Sequence, residues 1–339
     1  EEAFNGEIVA LAGFKDFDIG DTISGIDNPE AMERMKIDPP TISMAFTVND
    51  SPLVGQFGGK FLTGNHLLAR LEKAKLVDPA LRVERSEKRA GAYIVSGRGV
   101  MHLTVLIENM RRELYEFSVG APEVLYTTDE NGNKLEPIER LKVEVPSDYS
   151  GAVIEILGVR KGNMLSMEPK GESMLLEYTI PARGLIGLRT LLLSATRGYA
   201  IMQTIFEGYE PFAGDIVRRS AGAIISKDKG SAVGYALWKL ADRGEFFVVP
   251  GDETYPGMII GEGNRHDDIV VNCIKGKQLT NMRSSGADDS TALPPARVMS
   301  LEEAVTWIND DEMVEVTPEA IRMRKLHLDE NARKAAAKA

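Results

Sequence analysis

Twice in succession the apolar pattern of this 339-residue chain switches between the period of a strand and that of a helix, in the same order. In the first pass, Pro39-Pro40 breaks the chain and "TISMAFTVN" alternates as a strand does. "TGNHLLARLEKAKLVDP" follows, with Thr63 as N-cap, Leu67, Leu71 and Ala74 at helical spacing, and Pro79 as the stop. "LRVERS" and "GAYIVSG" are two strand-like runs, a second helix carries Leu103, Leu106, Ile107 and Met110 on one face, and "YEFSVGAP" closes the unit. After the turn-rich "TTDENGNKLEP" the order returns. "RLKVEVP" is a strand, and "DYSGAVIEILGVRKG" a helix with Ala152, Val153, Ile156 and Leu157 inward. "NMLSMEP" and "SMLLEYTIP" come next, then a helix with Leu188, Leu191, Leu192 and Ala195 on one stripe, and finally "GYAIMQTIFEGY". Strand–helix–strand–strand–helix–strand over about 80 residues is the split β-α-β arrangement of ferredoxin-like domains, a sheet with two helices on one face. The predicted fold is therefore α+β, with two consecutive ferredoxin-like domains at residues 39–128 and 129–210.

Residues 211–339 read differently. Short apolar runs such as "AGAIIS", "FFVVPG", "MIIGEG" and "DIVVNCI" are separated by Gly, Pro and charged turns, which predicts a β-rich domain with terminal helices. Ser300 and Glu303 have the spacing of a capping box before a helix in "MSLEEAVTWIND". "TPEAIRMRK", with Thr317 as cap and Pro318 in the first turn, predicts another helix. The final "DENARKAAAKA" has high helix propensity and little to bury, so it is expected to fray. At the other end, residues 1–38 hold a strand-like "GEIVALAGF", with no charged-then-apolar leader and no initiator Met. They read as part of something longer.

Several classes of function find no support in the residues. No run of about 18 apolar residues exists to span a membrane. Cys273 is the single cysteine and the four histidines are scattered, so no disulfide or metal-spaced cluster is predicted and a cytoplasmic location is expected. The pairs Gly59-Lys60 and Gly276-Lys277 lack the remaining residues of a phosphate loop. "GRGVMH" and "GEGNRH" lack the third glycine of a dinucleotide fingerprint. His66 and His102 read as helix residues, His266-Asp267-Asp268 as a turn of poor ligand geometry, and Cys273 as a packed thiol. No catalytic, cofactor or metal site is predicted.

Charge is more informative. The chain carries a formal net charge of −11, but residues 1–38 hold ten acids against three bases and residues 288–319 hold nine against one, which leaves the remainder net positive. Binding is governed by local fields, within roughly 8 Å at physiological salt. Two stretches are basic without neighbouring acids. "IPARGLIGLRTLLLSATRGYA" carries Arg183, Arg189 and Arg197. Arg197 is placed in a helix's last turn, where a cation is favoured, while Arg183 and Arg189 flank the helix start, where the dipole disfavours them and an external anion gains appeal. "IKGKQLTNMRSSGA" carries Lys275, Lys277 and Arg283 among Gln278, Asn281, Ser284 and other polar residues. Cations suit phosphates, and amides and hydroxyls suit sugar and base edges; the lack of aromatic residues points to the backbone of a folded RNA more than to stacked single strands.

"KFLTGNHLLARLEKA", "IPARGLIGLRTLLLSATRGYAIM" and "IKGKQLTNMRSSG" closely resemble the BipA/TypA family of bacterial translational GTPases, relatives of elongation factor G and LepA. The resemblance covers essentially the whole chain. It implies that residues 1–38 are the end of a β-barrel domain with a linker, with "GDTIS" as its closing segment. It likens 39–128 to the third domain of elongation factor G, 129–210 to its fifth domain, and 211–339 to the family's own C-terminal domain. The family's GTP-binding domain, with its GTP and Mg²⁺, has no counterpart in these residues, so this chain is expected to need no cofactor and to catalyse nothing. The family's setting implies as partners the ribosome between its two subunits, ribosomal RNA and the acceptor end of an A-site tRNA, with roles in large-subunit assembly and in stress or low-temperature translation. A monomer is expected. The loop that reaches the tRNA corresponds to about His266 to Ser285. Lys275, Lys277 and Arg283 would neutralise phosphates there, and Gln278, Asn281 and Ser284 would add hydrogen bonds. Two other classes compete: a protein-interaction scaffold using the acidic faces, and a stand-alone enzyme, which a cofactor or metal retained on purification would reveal.

Overall fold

The computed structural model describes residues 2–13, 19–34, 38–87, 89–276 and 293–336. It divides into two compact units, Glu1–Asp38 and Pro39–Ala339. In the first, none of the described residues forms a strand, and Phe4, Ile8, Leu11, Ile23 and Ile26 are exposed. The strand predicted for "GEIVALAGF" is thus not formed among its described residues, 6–13. An alternating run becomes a strand only where a neighbour supplies backbone partners, and none of the described residues of this unit does.

The second unit holds both predicted ferredoxin-like domains. In the first domain the elements are β1 (Ile42–Thr47), α1 (Gly64–Val77), β2 (Arg82–Arg85), β3 (Tyr93–Gly97), α2 (Val100–Arg112) and β4 (Phe117–Gly120). Their sheet runs β4-β1-β3-β2, all antiparallel, with Phe46 opposite Val119 and Met44 opposite Val95. Thr63 caps α1 by accepting from the His66 N–H, as its position in "TGNH" predicts. The second domain repeats the order with β5 (Lys134–Pro146), α3 (Ser150–Val159), β6 (Asn163–Lys170), β7 (Ser173–Pro181), α4 (Leu188–Ala195) and β8 (Ile201–Pro211). Its sheet runs β8-β5-β7-β6. On α4 only Leu188 and Leu192 are buried, while Leu191 is exposed, because the helix is just over two turns long and presents one narrow stripe.

Apart from a two-stranded ribbon that pairs Gly230–Ser231 with Glu253–Thr254, the strands beyond residue 211 join an existing sheet. β9 (Ala223–Ser226), β10 (Gly244–Phe246), β11 (Met258–Gly263), β12 (Ile269–Val271), β13 (Glu312–Val316) and β14 (Ile321–Lys325) extend the first domain's sheet. The order is β12-β9-β11-β14-β13-β4-β1-β3-β2, with β10 also on β11. The seam is the antiparallel pair β13–β4, where Val314 faces Val119 and Val316 faces Phe117. α5 (Leu301–Trp307) lies over this seam, and its Leu301, Ala304 and Val305 share one core with Leu103, Ile107 and Met110 of α2. The predicted capping box is formed: Ser300 Oγ accepts from the Glu303 N–H and the Glu303 carboxylate accepts from the Ser300 N–H. The second ferredoxin-like domain keeps a separate core around Leu141, Val153, Leu157, Leu176 and Leu192.

The helix predicted from Thr317 is strand β14. Thr317–Ala320 is the turn of the β13–β14 hairpin: the Thr317 N–H donates to the Ala320 carbonyl at 3.1 Å and Thr317 Oγ1 accepts from the Ala320 N–H at 2.9 Å. A threonine that accepts from a backbone N–H three residues on is also what an N-cap does, so the local signal is the same in both structures. The alternation that marks the strand is present in "IRMRK", but its polar members are buried as ion pairs. Glu315 accepts from Tyr255 Oη and faces Arg322 at 3.3 Å and Arg324 at 3.4 Å, while Arg219 and Lys325 converge on Glu312 at 2.8 Å each. Burial, reinforced by the Glu315 charge, pushes the Tyr255 phenol well above its usual value.

Candidate nucleic-acid interface

The basic stretch begins at the end of a rigid scaffold. β12 is the edge of the long sheet, and Cys273 just after it is buried with its sulfur 3.6 Å from Ser226 Oγ and 3.5 Å from Thr254 Oγ1. Within the stretch expected as a loop from about His266 to Ser285, residues 266–268 are irregular, Ile269–Val271 is β12, and Cys273 and Ile274 pack in the second hydrophobic cluster with Ile224, Leu237 and Tyr255. Lys275 and Gly276 follow and are exposed. Lys277, Gln278, Asn281, Arg283 and Ser284 lie outside the described residues. The chain returns at Leu293, which packs against the same cluster. Both stems are thus held by one core.

Two cations that the sequence pattern does not single out stand beside Lys275. Segment 226–233 runs along the β12 end: the Lys227 N–H donates to the Val271 carbonyl and the Val233 N–H to the Cys273 carbonyl, both at 2.9 Å. A side chain at Gly230 would meet Ile274 Cδ1 at 3.3 Å, so glycine permits this close approach. Lys227 and Lys229 are exposed, and the acid between them, Asp228, is engaged by Asn272 Nδ2 at 2.6 Å. The sequence signal for them is weak, since "SKDKGS" reads as charge-balanced until Asp228 is assigned to Asn272. Lys227, Lys229 and Lys275 are exposed on adjoining backbone segments, with Lys227 also within electrostatic reach of Glu330, and exposed cations on neighbouring segments suit a polyanion.

The other basic stretch divides. Arg183 is buried, its Nη2 donating to Glu136 Oε1 at 3.0 Å and its Nε to Oε2, with the guanidinium 4.5 Å from the Phe212 ring centroid. It neutralises a fully buried carboxylate that also accepts from the Ala213 N–H at 2.7 Å, so its charge is not free for the external anion expected of it. Glu136 lies 47 residues away, which is why the local absence of acid misled. Arg189 sits in the first turn of α4, exposed, in the wall of a cleft that also holds Arg98 and the buried Glu139. Burial pushes the Glu139 carboxyl upward. Arg197 is outside the helix end, at φ +53° in the following turn.

The remaining sequence candidates have structural roles. A Cβ on Gly59 would meet Glu116 Oε2, and Glu116 is buried and accepts from Asn49 at 2.8 Å; Gly59-Lys60 serves close packing. The Arg98 N–H donates to His102 Nδ1, which leaves Nε2 to donate to Asp78. Among the described residues no group of three metal-ligating side chains converges, and no helix is long and apolar enough to cross a membrane.

Tandem ferredoxin-like domains of this kind, followed by a domain that completes the first one's sheet, define the class. Residues 133–220 match the family model described as elongation factor G C-terminus, and residues 221–330 match the TypA/BipA C-terminal domain. Along its whole length the chain is 44% identical to the large ribosomal subunit assembly factor BipA of Bacillus subtilis (strain 168), of which it covers 55%. It is 45% identical over 98% of its length to the protein of the same name from Salmonella typhimurium and 46% identical to that from Haemophilus influenzae, covering 54% of each. The chain is thus similar to TypA/BipA proteins, whose C-terminal domain it carries at residues 221–330, and it spans about half the length of these curated relatives.

Proposed function

We propose that this chain is the ribosome- and RNA-binding part of a translational GTPase that acts in assembly of the large ribosomal subunit. The observation that carries the reading is the similarity of nearly the whole chain to proteins named for that role. GTP and Mg²⁺ belong, on this reading, to a separate GTP-binding domain of the parent protein, and the contribution of this chain is positional. The sheet that joins 39–128 to 211–339 holds the basic stretch at a fixed reach. Lys275, Lys277 and Arg283 meet phosphates of ribosomal RNA or of the acceptor end of an A-site tRNA, Gln278, Asn281 and Ser284 add hydrogen bonds, and Lys227 and Lys229 widen the patch. The protein works in the cytoplasm as a monomer between the ribosomal subunits.

The test is ribosome co-sedimentation of the whole protein with a non-hydrolysable GTP analogue, wild type against the triple variant Lys275→Gln/Lys277→Gln/Arg283→Gln, across a salt series. Loss of three phosphate contacts is expected to weaken binding and to flatten the log-log salt dependence by roughly two to three units. Unchanged affinity and slope would remove the loop from the interface. Salt-insensitive binding that ignores the loop would instead favour a protein-interaction scaffold.

A further inference from the structure

Between the second ferredoxin-like domain and the residues that follow it lies a cleft of about 290 Å³ whose walls carry four arginines, Arg160, Arg218, Arg219 and Arg297. Two acids line it, Glu262 and Glu303, and both have other partners: Glu262 accepts from Trp307 Nε1 at 2.9 Å, and Glu303 closes the capping box of α5. Arg160 is the informative member. It is only 9% exposed at the C-terminal end of α3, and its Nη1 donates to the carbonyls of Gly184 and Ile186 at 2.7 Å each. Among the described residues no carboxylate pairs with it. A buried guanidinium without a counter-charge is costly, and burial alone holds Arg160 below its usual value.

The other three are arranged around the same space. Arg219 stacks on Trp307 at 3.8 Å from the ring centroid and forms a fork with Glu312, while its buried Nε has no partner. Arg218 is tied to the exposed Asp310 and to the Pro122 carbonyl. Arg297 is shared at long range, 3.4 to 4.0 Å, among Glu245, Glu262 and Glu303. Hence four guanidinium groups meet in one cleft; three have acid partners, Arg160 is buried and unpaired by acid, and Arg219 keeps an unused buried N–H.

We propose that this cleft binds a phosphate group, with Arg160 supplying the missing ion pair and Arg218 and Arg297 closing over the ligand. Planar forked donors suit phosphate oxygens better than a point charge does. The ligand is a terminal phosphate of a small molecule or a phosphodiester of RNA; the shared chemistry is the anionic oxygen set. The site is independent of the basic stretch around Lys275 and of the ribosomal reading.

The experiment is isothermal titration calorimetry of the 339-residue chain at low ionic strength, with inorganic phosphate, AMP and the dinucleotide ApA as separate titrants. Saturable 1:1 uptake of inorganic phosphate is expected, weakened about tenfold or more in Arg160→Gln and in Arg218→Gln, as loss of a charged hydrogen-bond partner implies, and unchanged in Lys275→Gln. Tighter uptake of AMP than of ApA assigns a terminal phosphate; the reverse assigns an RNA backbone. No saturable uptake of any of the three overturns the site, and so does uptake that the arginine variants leave intact or that only Lys275→Gln removes. If Arg160→Gln fails to fold, Arg218→Gln and the half-exposed Arg297→Gln decide the matter by the same readout.

Discussion

At the scale of single residues, the question for each cation is whether an acid elsewhere in the fold has already claimed it. Arg183 and Arg189 stand six positions apart in one basic stretch, yet the first is locked to Glu136 and the second is exposed. Arg183→Ala is expected to destabilise the protein by about 3–5 kcal/mol, because it strands a fully buried carboxylate. Arg189→Ala is expected to stay within about 0.5 kcal/mol, as surface substitutions do. Urea denaturation of the two variants checks the contrast, and equal small effects would deny the buried pair its role. Glu139 gives a pH signature of its own. Its carboxyl is raised in the folded state by burial, so the stability linked to it is fully present below the unfolded carboxyl range and is lost as pH rises through the raised value. Glu139→Gln should therefore gain on the wild type in urea midpoint as pH rises from about 4 to about 8. A difference that does not vary with pH would show that Glu139 is not shifted.

At the scale of elements, local signals were legible where one side chain decides the geometry. Thr63 before α1 and the Ser300–Glu303 box before α5 are both formed as their spacing implies. Ser300→Ala should cost about 1 kcal/mol through the lost bond from the Glu303 N–H to Oγ, and Ser300→Gly only a few tenths; chemical denaturation of the pair reads this order. Thr317 shows the limit of such signals. It accepts from the N–H three residues on, as a cap would, but the chain turns back as a hairpin because β13 and β4 offer an edge to extend. The basic stretch is the same case in miniature. Its composition was readable, while its starting point after Ile274 depends on which residues the hydrophobic cluster claims.

At the scale of the whole molecule, the continuous sheet makes one folding unit of segments that are far apart in sequence. Leu103 from the first ferredoxin-like domain and Val314 from the last part of the chain lie in one core, whereas Leu157 lies in another. Leu103→Ala and Val314→Ala should each cost a few kcal/mol, about 2–5 for the leucine. Both should speed hydrogen exchange of the slow amides in 39–128 and in 211–339 together, because those residues open as one cooperative unit. Leu157→Ala should act chiefly on amides of 129–210. Exchange that accelerates only in the mutated segment would mean the sheet seam does not couple the two.

The sequence by itself determined the two ferredoxin-like domains, the helix caps at Thr63 and Ser300, the β-rich character of the remainder and the composition of the basic stretches. All of these depend on periodicity and on contacts within a few residues. Only the tertiary structure decided that β13 completes the first domain's sheet, that Arg183 is spent on Glu136, and that the segment bearing Lys227 and Lys229 runs along the strand end that leads to Lys275. It also decided that four arginines meet in one cleft. Each of these joins residues far apart along the chain, and a charge or a strand edge announces that it needs a partner without saying which distant residue will supply it.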